Sequence, residues 1–457
     1  MQNKKIYILL FLLSLPCFVF AAEENTQIDL KLSTQTAVNN PEIISLAEYQ
    51  KAALSNNVEL HTVEAESEYA HQESKAAFTK YFPKISAGAA IANTDILPGL
   101  NEPIGLYPIT HQSNGASVLT VGAVQPLFTG GRIINGNKLA RTAAKASDYK
   151  LKIKQNEVYA QAEKKYNAYR LLEDKMTTLS AYEKMLDSLY MQVSQAFENG
   201  IVSKSDFLRV KLKKEEITVQ KEQLAKMTEI AAKDLKLYAG IDENRQITID
   251  KNFSETEEPS YNRSDFQSYL KRRPEYKLLE ANVQVSKLQR NIEVGSYMPS
   301  LAVGASVFRT DYFSNNYFDK SLMYYQDTVA FATVSMPLSD WWQASHTIKG
   351  KNAKYKAARE EFDSKSKYLM LDMDNKLTML EMAYRQVRVA EIGFELAKTN
   401  RIEAEDGYNN GTEKLSDYLE SIALEQEKQN KLNEAKAGYF EAKTAFLLSA
   451  GMINLQE

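Results

Sequence analysis

The chain contains two copies of one sequence pattern. Landmarks of the first copy recur 211 residues later without a gap: Pro126 as Pro337, Asn199-Gly200 as Asn410-Gly411, and Gly240 as Gly451. Further upstream the spacing is 216 residues, as between Pro83 and Pro299, so five residues are lost in between. Because insertions concentrate in loops, we expect a loop of different length in each copy. The repeat is longer than the roughly 20 to 50 residues of solenoid units. It predicts a duplicated assembly whose corresponding residues have the same structural role.

Each copy includes a long stretch without helix-breaking residues. No proline occurs between Pro126 and Pro259 or after Pro337, and no glycine between Gly136 and Gly200. Apolar residues follow the heptad spacing of a coiled coil, as in the column Leu172, Leu179, Leu186 and Val193. We therefore predict long helices at residues 137–198 and 344–409, and the first would be about 93 Å long at 1.5 Å per residue.

Shorter helices accompany each long helix. Return helices are predicted at residues 203–238 and 414–449, and each covers about half of the long helix. Helices at residues 45–80 and 265–295 cover the remainder. The first copy, residues 22–264, ends in a polar linker at 241–264 that crosses at mid-height, and the second copy occupies residues 265–457.

The segments between these helices have the pattern of β-strands. Strand pairs are predicted at residues 84–127 and 300–338, with strands close to the roughly 9 to 11 residues that cross a bilayer. Aromatic residues gather where the strands begin and end, as in a membrane-interface girdle: Tyr81, Phe82, Phe128, Tyr297, Trp341 and Trp342. A soluble sheet capped by aromatic residues is the alternative. Closed membrane barrels need about eight strands, so we expect a dimer or a trimer.

The first 21 residues are typical of a secretory signal peptide. Lys4 and Lys5 precede an apolar run that ends near Ala21. Removal of this segment changes the formal net charge from −3 to −5, which argues against nucleic-acid binding. The single cysteine, Cys17, lies within the signal; a lipoprotein cleaved before Cys17 is the alternative, although Pro16 is unfavourable there. After the signal no stretch approaches the roughly 20 apolar residues of a membrane-spanning helix.

The sequence contains no pattern typical of an enzyme. The four histidines, at positions 61, 71, 111 and 346, have neither metal-ligand nor catalytic-triad spacing, and no glycine-rich phosphate loop is present. We therefore predict a protein that is not an enzyme and has no metal or cofactor.

The ordered motifs resemble those of the TolC-type outer membrane efflux proteins. The resemblance rests on the run from Gln125 to Arg132, on the segment from Ser45 to Asn57, and on Phe197-Glu198-Asn199-Gly200. It covers essentially the whole mature chain. It implies a mostly helical fold in which duplicated long hairpins form a periplasmic tunnel, with four β-strands per chain in a 12-stranded trimeric barrel in the cell outer membrane.

The resemblance also implies function and partners. Family members are passive exit ducts that dock onto a periplasmic adaptor and an inner-membrane transporter of the RND or ABC type, and they export drugs, metals or polypeptides. A periplasmic coiled-coil adaptor or scaffold is the alternative function. Adaptors as a class have one helical hairpin and a lipoyl-like domain, whereas this chain has two hairpins and two strand pairs.

The same resemblance assigns roles at the helical tips. Asp417 and Glu420 match the carboxylates around the closed periplasmic entrance, and Asp206 and Tyr408 match a latch between the hairpins. Gly200 and Gly411 form the tip turns, where a helix end favours glycine. In contrast, Glu413 stands where the family has an arginine.

Simpler interpretations of these carboxylates remain open. Asp206 follows Ser203 with the spacing of a capping box, so it could serve only to cap a helix. Asp417 and Glu420, three residues apart, share one helical face, which could be an ordinary solvated surface.

Overall fold

The computed structural model describes residues 42–93, 115–250, 255–313 and 323–453. The signal peptide predicted for residues 1–21, with Cys17, lies outside this range, and so do His111 and most of the two loops between paired strands. Among the described residues, no helix combines the length and the hydropathy that a membrane span requires.

The described residues of the first copy form four helices and four strands. Its elements in chain order are β1 (Glu42–Ile44), α1 (Leu46–Asn56), α2 (Val58–Thr79), β2 (Lys84–Asn93), β3 (Gly115–Phe128), α3 (Arg132–Glu198), α4 (Lys204–Tyr238) and β4 (Ile247–Ile249). The second copy has the same plan. It contains a 3₁₀ turn (Arg263–Asp265), α5 (Phe266–Leu270), α6 (Pro274–Ser296), β5 (Ser300–Phe313), β6 (Met323–Ser335), α7 (Trp341–Asn409) and α8 (Leu415–Ser449).

The two long helices begin slightly earlier than the sequence pattern suggested. Helix α3 has 67 residues and α7 has 69, so each is about 100 Å long at 1.5 Å per residue. Gly136, which marked the expected start of the first one, lies inside the first turns of α3. The helix begins after Gly131, whose φ of 79° turns the chain out of β3.

The helix expected at residues 45–80 is divided in the structure. Asn57 ends α1 and caps α2, because its side-chain oxygen accepts a hydrogen bond from the Leu60 backbone N–H at 3.1 Å. An asparagine side chain offers the backbone an alternative to continuous helix. In the second copy the corresponding break lies at Arg273, which precedes Pro274 at the start of α6.

The mid-height linker contains a short strand that the sequence pattern did not indicate. Strand β4 pairs in parallel with β1, which precedes α1. Tyr166 of α3 fastens this pair, because its hydroxyl donates to the Ile44 carbonyl at 2.8 Å and accepts from the Asp250 N–H at 3.1 Å. The linker is thus bound to the middle of the long helix.

The strands and helices form one linear array. The four long strands are antiparallel in the order β2-β3-β5-β6. Helices continue this order: α2, α3, α6 and α7 pack side by side near the strands, and α4, α3, α8 and α7 do so towards the turns. Within the described residues, β2 and β6 each have one free edge. Towards the turns, α4 and α7 are the outermost helices of the array.

Corresponding residues of the two copies have the same packing role. Ala162, Tyr166 and Leu235 are buried in one core, and their equivalents Met373, Leu377 and Phe446 are buried in another. Gly240 and Gly451 end α4 and α8 with φ values of 62° and 64°. A Cβ on Gly240 would stand 2.7 Å from Asn56 Cβ, and a Cβ on Gly451 would stand 3.0 Å from Arg272 Cβ. Arg272 is the equivalent of Asn56 in the second copy, since it follows Asn56 by 216 residues.

Replacement of Gly240 by alanine should therefore destabilise the protein more than replacement of Gly200. Gly200 has a similar φ of 72°, but a Cβ there would meet no atom within 4 Å. We expect a cost of about 1 kcal/mol for Gly200→Ala from backbone strain alone, and about 2 to 4 kcal/mol for Gly240→Ala from strain plus overlap with Asn56. Thermal unfolding followed by circular dichroism compares the two variants. Equal shifts in Tm would show that the contact with Asn56 is unimportant.

Candidate functional site

The turns at the end of the two hairpins have the same backbone geometry. Gly200 and Gly411 have φ values of 72° and 76°, and no heavy atom lies within 4 Å of a Cβ placed on either. The chain then returns through bonds from Ile201 N–H to the Ala196 carbonyl and from Thr412 N–H to the Gly407 carbonyl, each 2.8 Å long. These bonds hold the segment after each long helix against the last turn of that helix.

Asp206 lies in the first turn of α4 and participates in its cap. The Ser203 hydroxyl accepts a hydrogen bond from the Asp206 N–H at 3.1 Å and donates one to the Asp206 carboxylate at 2.7 Å. Arg209 lies 3.8 Å from the other carboxylate oxygen. Ser203 thus caps α4, as the spacing suggested, but the Asp206 carboxylate bonds to the Ser203 hydroxyl instead of completing a capping box.

Tyr408 lies near the end of α7, half-buried against the core at the tip. Its ring stacks on that of Tyr418 in α8, with centroids 5.7 Å apart and planes inclined by 19°. Burial raises the pKa of the Tyr408 hydroxyl, and the negative charge of Asp206 raises it further. The structure therefore places Asp206 of the first hairpin within electrostatic range of Tyr408 of the second, across the junction between the copies.

Asp417 and Glu420 lie on the exposed face of the first turns of α8. Leu415, Tyr418 and Leu419, on the opposite side of α8, are buried. Buried and exposed residues thus lie on different sides of this helix. Asp417 accepts a hydrogen bond from the Ser416 hydroxyl at 2.9 Å. In the part of the chain that the structure describes, neither carboxylate forms an ion pair. Both carboxylates are exposed to solvent on this face.

Glu413, which stands where an arginine was expected, lies in the turn between α7 and α8 and packs against the end of α7. Its Cγ lies 2.5 Å from the position that a Cβ on Gly407 would occupy. The Glu413 N–H also bonds to the Gly407 carbonyl at 3.1 Å. The side chain therefore needs a glycine at 407 and points along the turn.

Arg401 is a tip residue that sequence reasoning missed. Its Nη1 lies 2.5 Å from Glu405 on the same helix, and its Nε lies 2.6 Å from Glu425 on α8. The angle of the contact to Glu425 does not suit a hydrogen bond, and we therefore describe it as an ion pair. The spacing of four residues between Arg401 and Glu405 was visible in the sequence, but the contact with Glu425 depends on how α7 and α8 pack.

The aromatic residues predicted to form a girdle lie where helices and strands meet. Tyr81, Phe82 and Phe128 are exposed, and Trp342 has 86% of its surface exposed. Tyr297 is half-buried, and the side chain of Trp341 lies outside the described part of the structure. Phe78 packs edge-on against both Tyr81 and Phe82. The exposed members form an apolar border at the base of the strands.

The described residues contain no group of three or more histidine, cysteine or acidic side chains that could hold a metal ion. His71 instead contacts Asp148 at 2.8 Å, and His61 contacts the Ser55 carbonyl at 2.9 Å. These contacts join helix surfaces and do not form a common site.

A protein-family model described as outer membrane efflux protein matches residues 50–240 and 266–451, most of both copies. The chain belongs to this family. Each matched segment lies within one copy, so both copies carry the family pattern. No curated protein sequence matches the efflux protein.

Solved structures of outer-membrane channels share its fold. The outer membrane protein VceC of Vibrio cholerae is 12% identical with a TM-score of 0.74, and the match covers 89% of this chain and 96% of VceC. The CmeC channel of Campylobacter jejuni is 15% identical with a TM-score of 0.73, covering 93% and 92%. The MtrE channel of Neisseria gonorrhoeae, in its open state, is 17% identical with a TM-score of 0.70, covering 89% and 88%.

These findings confirm the fold class and the location predicted from the sequence. The efflux protein is a channel of the outer membrane, with strands for a β-barrel and helices for a periplasmic tunnel. Because the family consists of passive channels, the efflux protein is not an enzyme. Family membership also decides against the alternative of a periplasmic adaptor or scaffold.

Proposed function

We propose that the efflux protein is the exit duct of a tripartite efflux or type I secretion system. In this proposal it is a homotrimer whose twelve strands close one barrel in outer membrane lipid. A periplasmic adaptor and an inner-membrane RND or ABC transporter open it at the tip. The observation that carries the proposal is the linear array, which has a free edge at β2 and another at β6.

Unpaired strand edges are not tolerated in lipid, because each free N–H or carbonyl group costs several kcal/mol there. One chain cannot pair its own edges, since two further strands lie between them. Copies that join β6 of one chain to β2 of the next can satisfy both edges and close a ring. Three copies give twelve strands, which exceeds the minimum of about eight for a closed membrane barrel.

The helices carry apolar faces at the same two sides of the array. On α7 Met382, Val389 and Leu396 are exposed at intervals of seven residues, and Val389 has 70% of its surface free. On α4 Leu212, Val219, Ile230 and Leu237 are exposed on one side of the helix. Heptad intervals of this kind are typical of a coiled-coil seam. The two faces support contact between α7 of one copy and α4 of the next.

The duplication allows the register of this contact to be estimated. In the order α4-α3-α8-α7, the contact of α7 with the next copy's α4 corresponds to the contact of α3 with α8 within one copy. Lys175 of α3 pairs with Glu434 of α8, and the equivalents of these residues are Gln386 in α7 and Gln223 in α4. Ile230 lies seven residues further from the tip than Gln223, so it should face the stretch of α7 between Met379 and Met382.

Engineered cysteines test this contact. We expect Ile230→Cys combined with Met379→Cys or Met382→Cys to give a covalently linked trimer on a non-reducing gel, because both methionines are exposed on α7 and these faces meet between copies. Cys17 lies in the predicted signal and should not interfere. Ile230→Cys with Tyr368→Cys, another exposed position further from the tip on α7, is the control. Absence of links from both test pairs would contradict the arrangement.

We further propose that Asp206 and Tyr408 form the latch that keeps the tip shut. The support is the influence of the Asp206 charge on Tyr408, although the Asp206 carboxylate also accepts a hydrogen bond from Ser203, the residue that caps α4. We expect Asp206→Asn with Tyr408→Phe to raise the single-channel conductance in planar bilayers. Ser203→Ala removes the cap hydroxyl but keeps the Asp206 charge, and should leave the conductance unchanged. If Ser203→Ala raises it equally, capping explains the effect and the latch is refuted.

In the same proposal Asp417 and Glu420 line the periplasmic aperture. Three copies would bring six carboxylates to one axis, and such a ring favours cations. We expect Asp417→Asn with Glu420→Gln to shift the reversal potential in a salt gradient towards lower cation preference. Glu229→Gln, on the exposed side of α4, is the matched control for loss of a carboxylate. An unchanged reversal potential would place these residues away from the pore.

A further inference from the structure

We infer that Arg401 is a positioning residue for the closed tip, and that it holds the start of α8, with Asp417 and Glu420, in place through Glu405 and Glu425. This inference rests on the proposed gate. It assigns the closing contact of the second hairpin to a residue that lies about two helical turns from Tyr408 along α7.

The burial of this group distinguishes it from the other ion pairs of the hairpins. The Arg401 side chain is 15% exposed and that of Glu425 is 20% exposed. In the first hairpin, the Lys214–Asp187 pair is 39% and 44% exposed. Ion pairs at exposed positions contribute little, whereas loss of one partner from a sheltered pair leaves a poorly solvated charge behind. Arg401 can therefore affect the position of α8 in a way that the lysine pairs cannot affect α4.

Arginine suits this position because of its geometry. The guanidinium presents several N–H groups in a fixed plane and can contact two carboxylates at once. Here one carboxylate belongs to α7 and the other to α8, so the side chain joins two helices that carry different parts of the proposed gate. Glu413, at the turn, has the wrong charge for this task.

The contacts of Arg401 continue to the proposed latch. Glu405 lies close to the Tyr418 hydroxyl, and burial together with its charge raises the pKa of Tyr418 to about 12. The Tyr418 ring stacks on Tyr408, which in turn senses the charge of Asp206. A series of contacts thus leads from Glu425 through Arg401, Glu405 and Tyr418 to Tyr408, the residue on which the charge of Asp206 acts.

Glu425 also faces the junction between the two copies. Its side chain lines a groove of about 610 Å³ between α3 and α8, together with Tyr182, Met185 and Ile422. When α8 moves relative to α3, this groove must change shape. A side chain that fixes Glu425 to α7 therefore limits how far α8 can move on its own.

The test compares single-channel conductance of purified trimers. We expect Arg401→Gln to raise the conductance severalfold and to lengthen open times, whereas Arg388→Gln should leave both unchanged. Arg388 is the matched control, since it lies on the same helix and pairs with Glu391 while 62% exposed. If Arg401→Gln trimers do not assemble, Arg401→Lys, which keeps the charge but loses the planar contact, should give a smaller increase.

Charge reversal separates a specific contact from general loosening. We expect Arg401→Glu to open the channel, and Arg401→Glu with Glu425→Arg to restore low conductance, because the new arginine can reach both acidic groups on α7. Failure of this rescue would overturn the inference. The inference would also be overturned if the Arg401→Gln trimer had wild-type conductance while Asp206→Asn with Tyr408→Phe still opened the channel. That result would refute the role of Arg401 and leave the proposed latch standing. If none of these variants opens the channel, the latch and the role of Arg401 both fail.

Discussion

The free backbone edges of β2 and β6 are the constraint on which the rest of the structure depends. In the described part of the chain, the two middle strands, β3 and β5, have partners on both sides, whereas each outer strand has one. In lipid those edges must be paired, so a single chain is an incomplete unit. The same order of elements continues through about 100 Å of helix, where the outer faces of α4 and α7 are apolar instead of hydrogen-bonding. Both the strands and the helices therefore present sides that neighbouring copies can cover.

Duplication supplies two hairpins with one backbone plan and different side-chain chemistry. The tip turns and the glycines that end α4 and α8 are equivalent to within a few degrees of φ. The charged contacts are not equivalent: lysines tie α4 to α3, while a sheltered arginine ties α7 to α8. In the proposed trimer, the equal backbones would let the hairpins alternate around a ring, and the proposed gate uses the unequal contacts of the second hairpin.

Sequence patterns sufficed wherever the cause was local. The absence of proline and glycine predicted the long helices, and glycine at 200 and 411 predicted the turns. Sequence patterns were insufficient where a feature depends on contacts between residues that are distant in the sequence. The β1–β4 pair is too short to show a period, and the sheltered position of Arg401 depends on α8. Likewise Glu163 resembles a solvated residue of a charged helix. In the structure it is buried near Glu441 of α8, and burial raises its pKa to about 7.

The number of chains in the assembled particle tests the account most directly. Native mass spectrometry of the protein released from detergent micelles measures it without any substitution. The proposed homotrimer, in which β6 of each copy pairs with β2 of the next, predicts a particle of three chains, and a particle of two chains would contradict the twelve-stranded barrel. A stable particle of one chain would contradict the claim that the edges must be paired between copies.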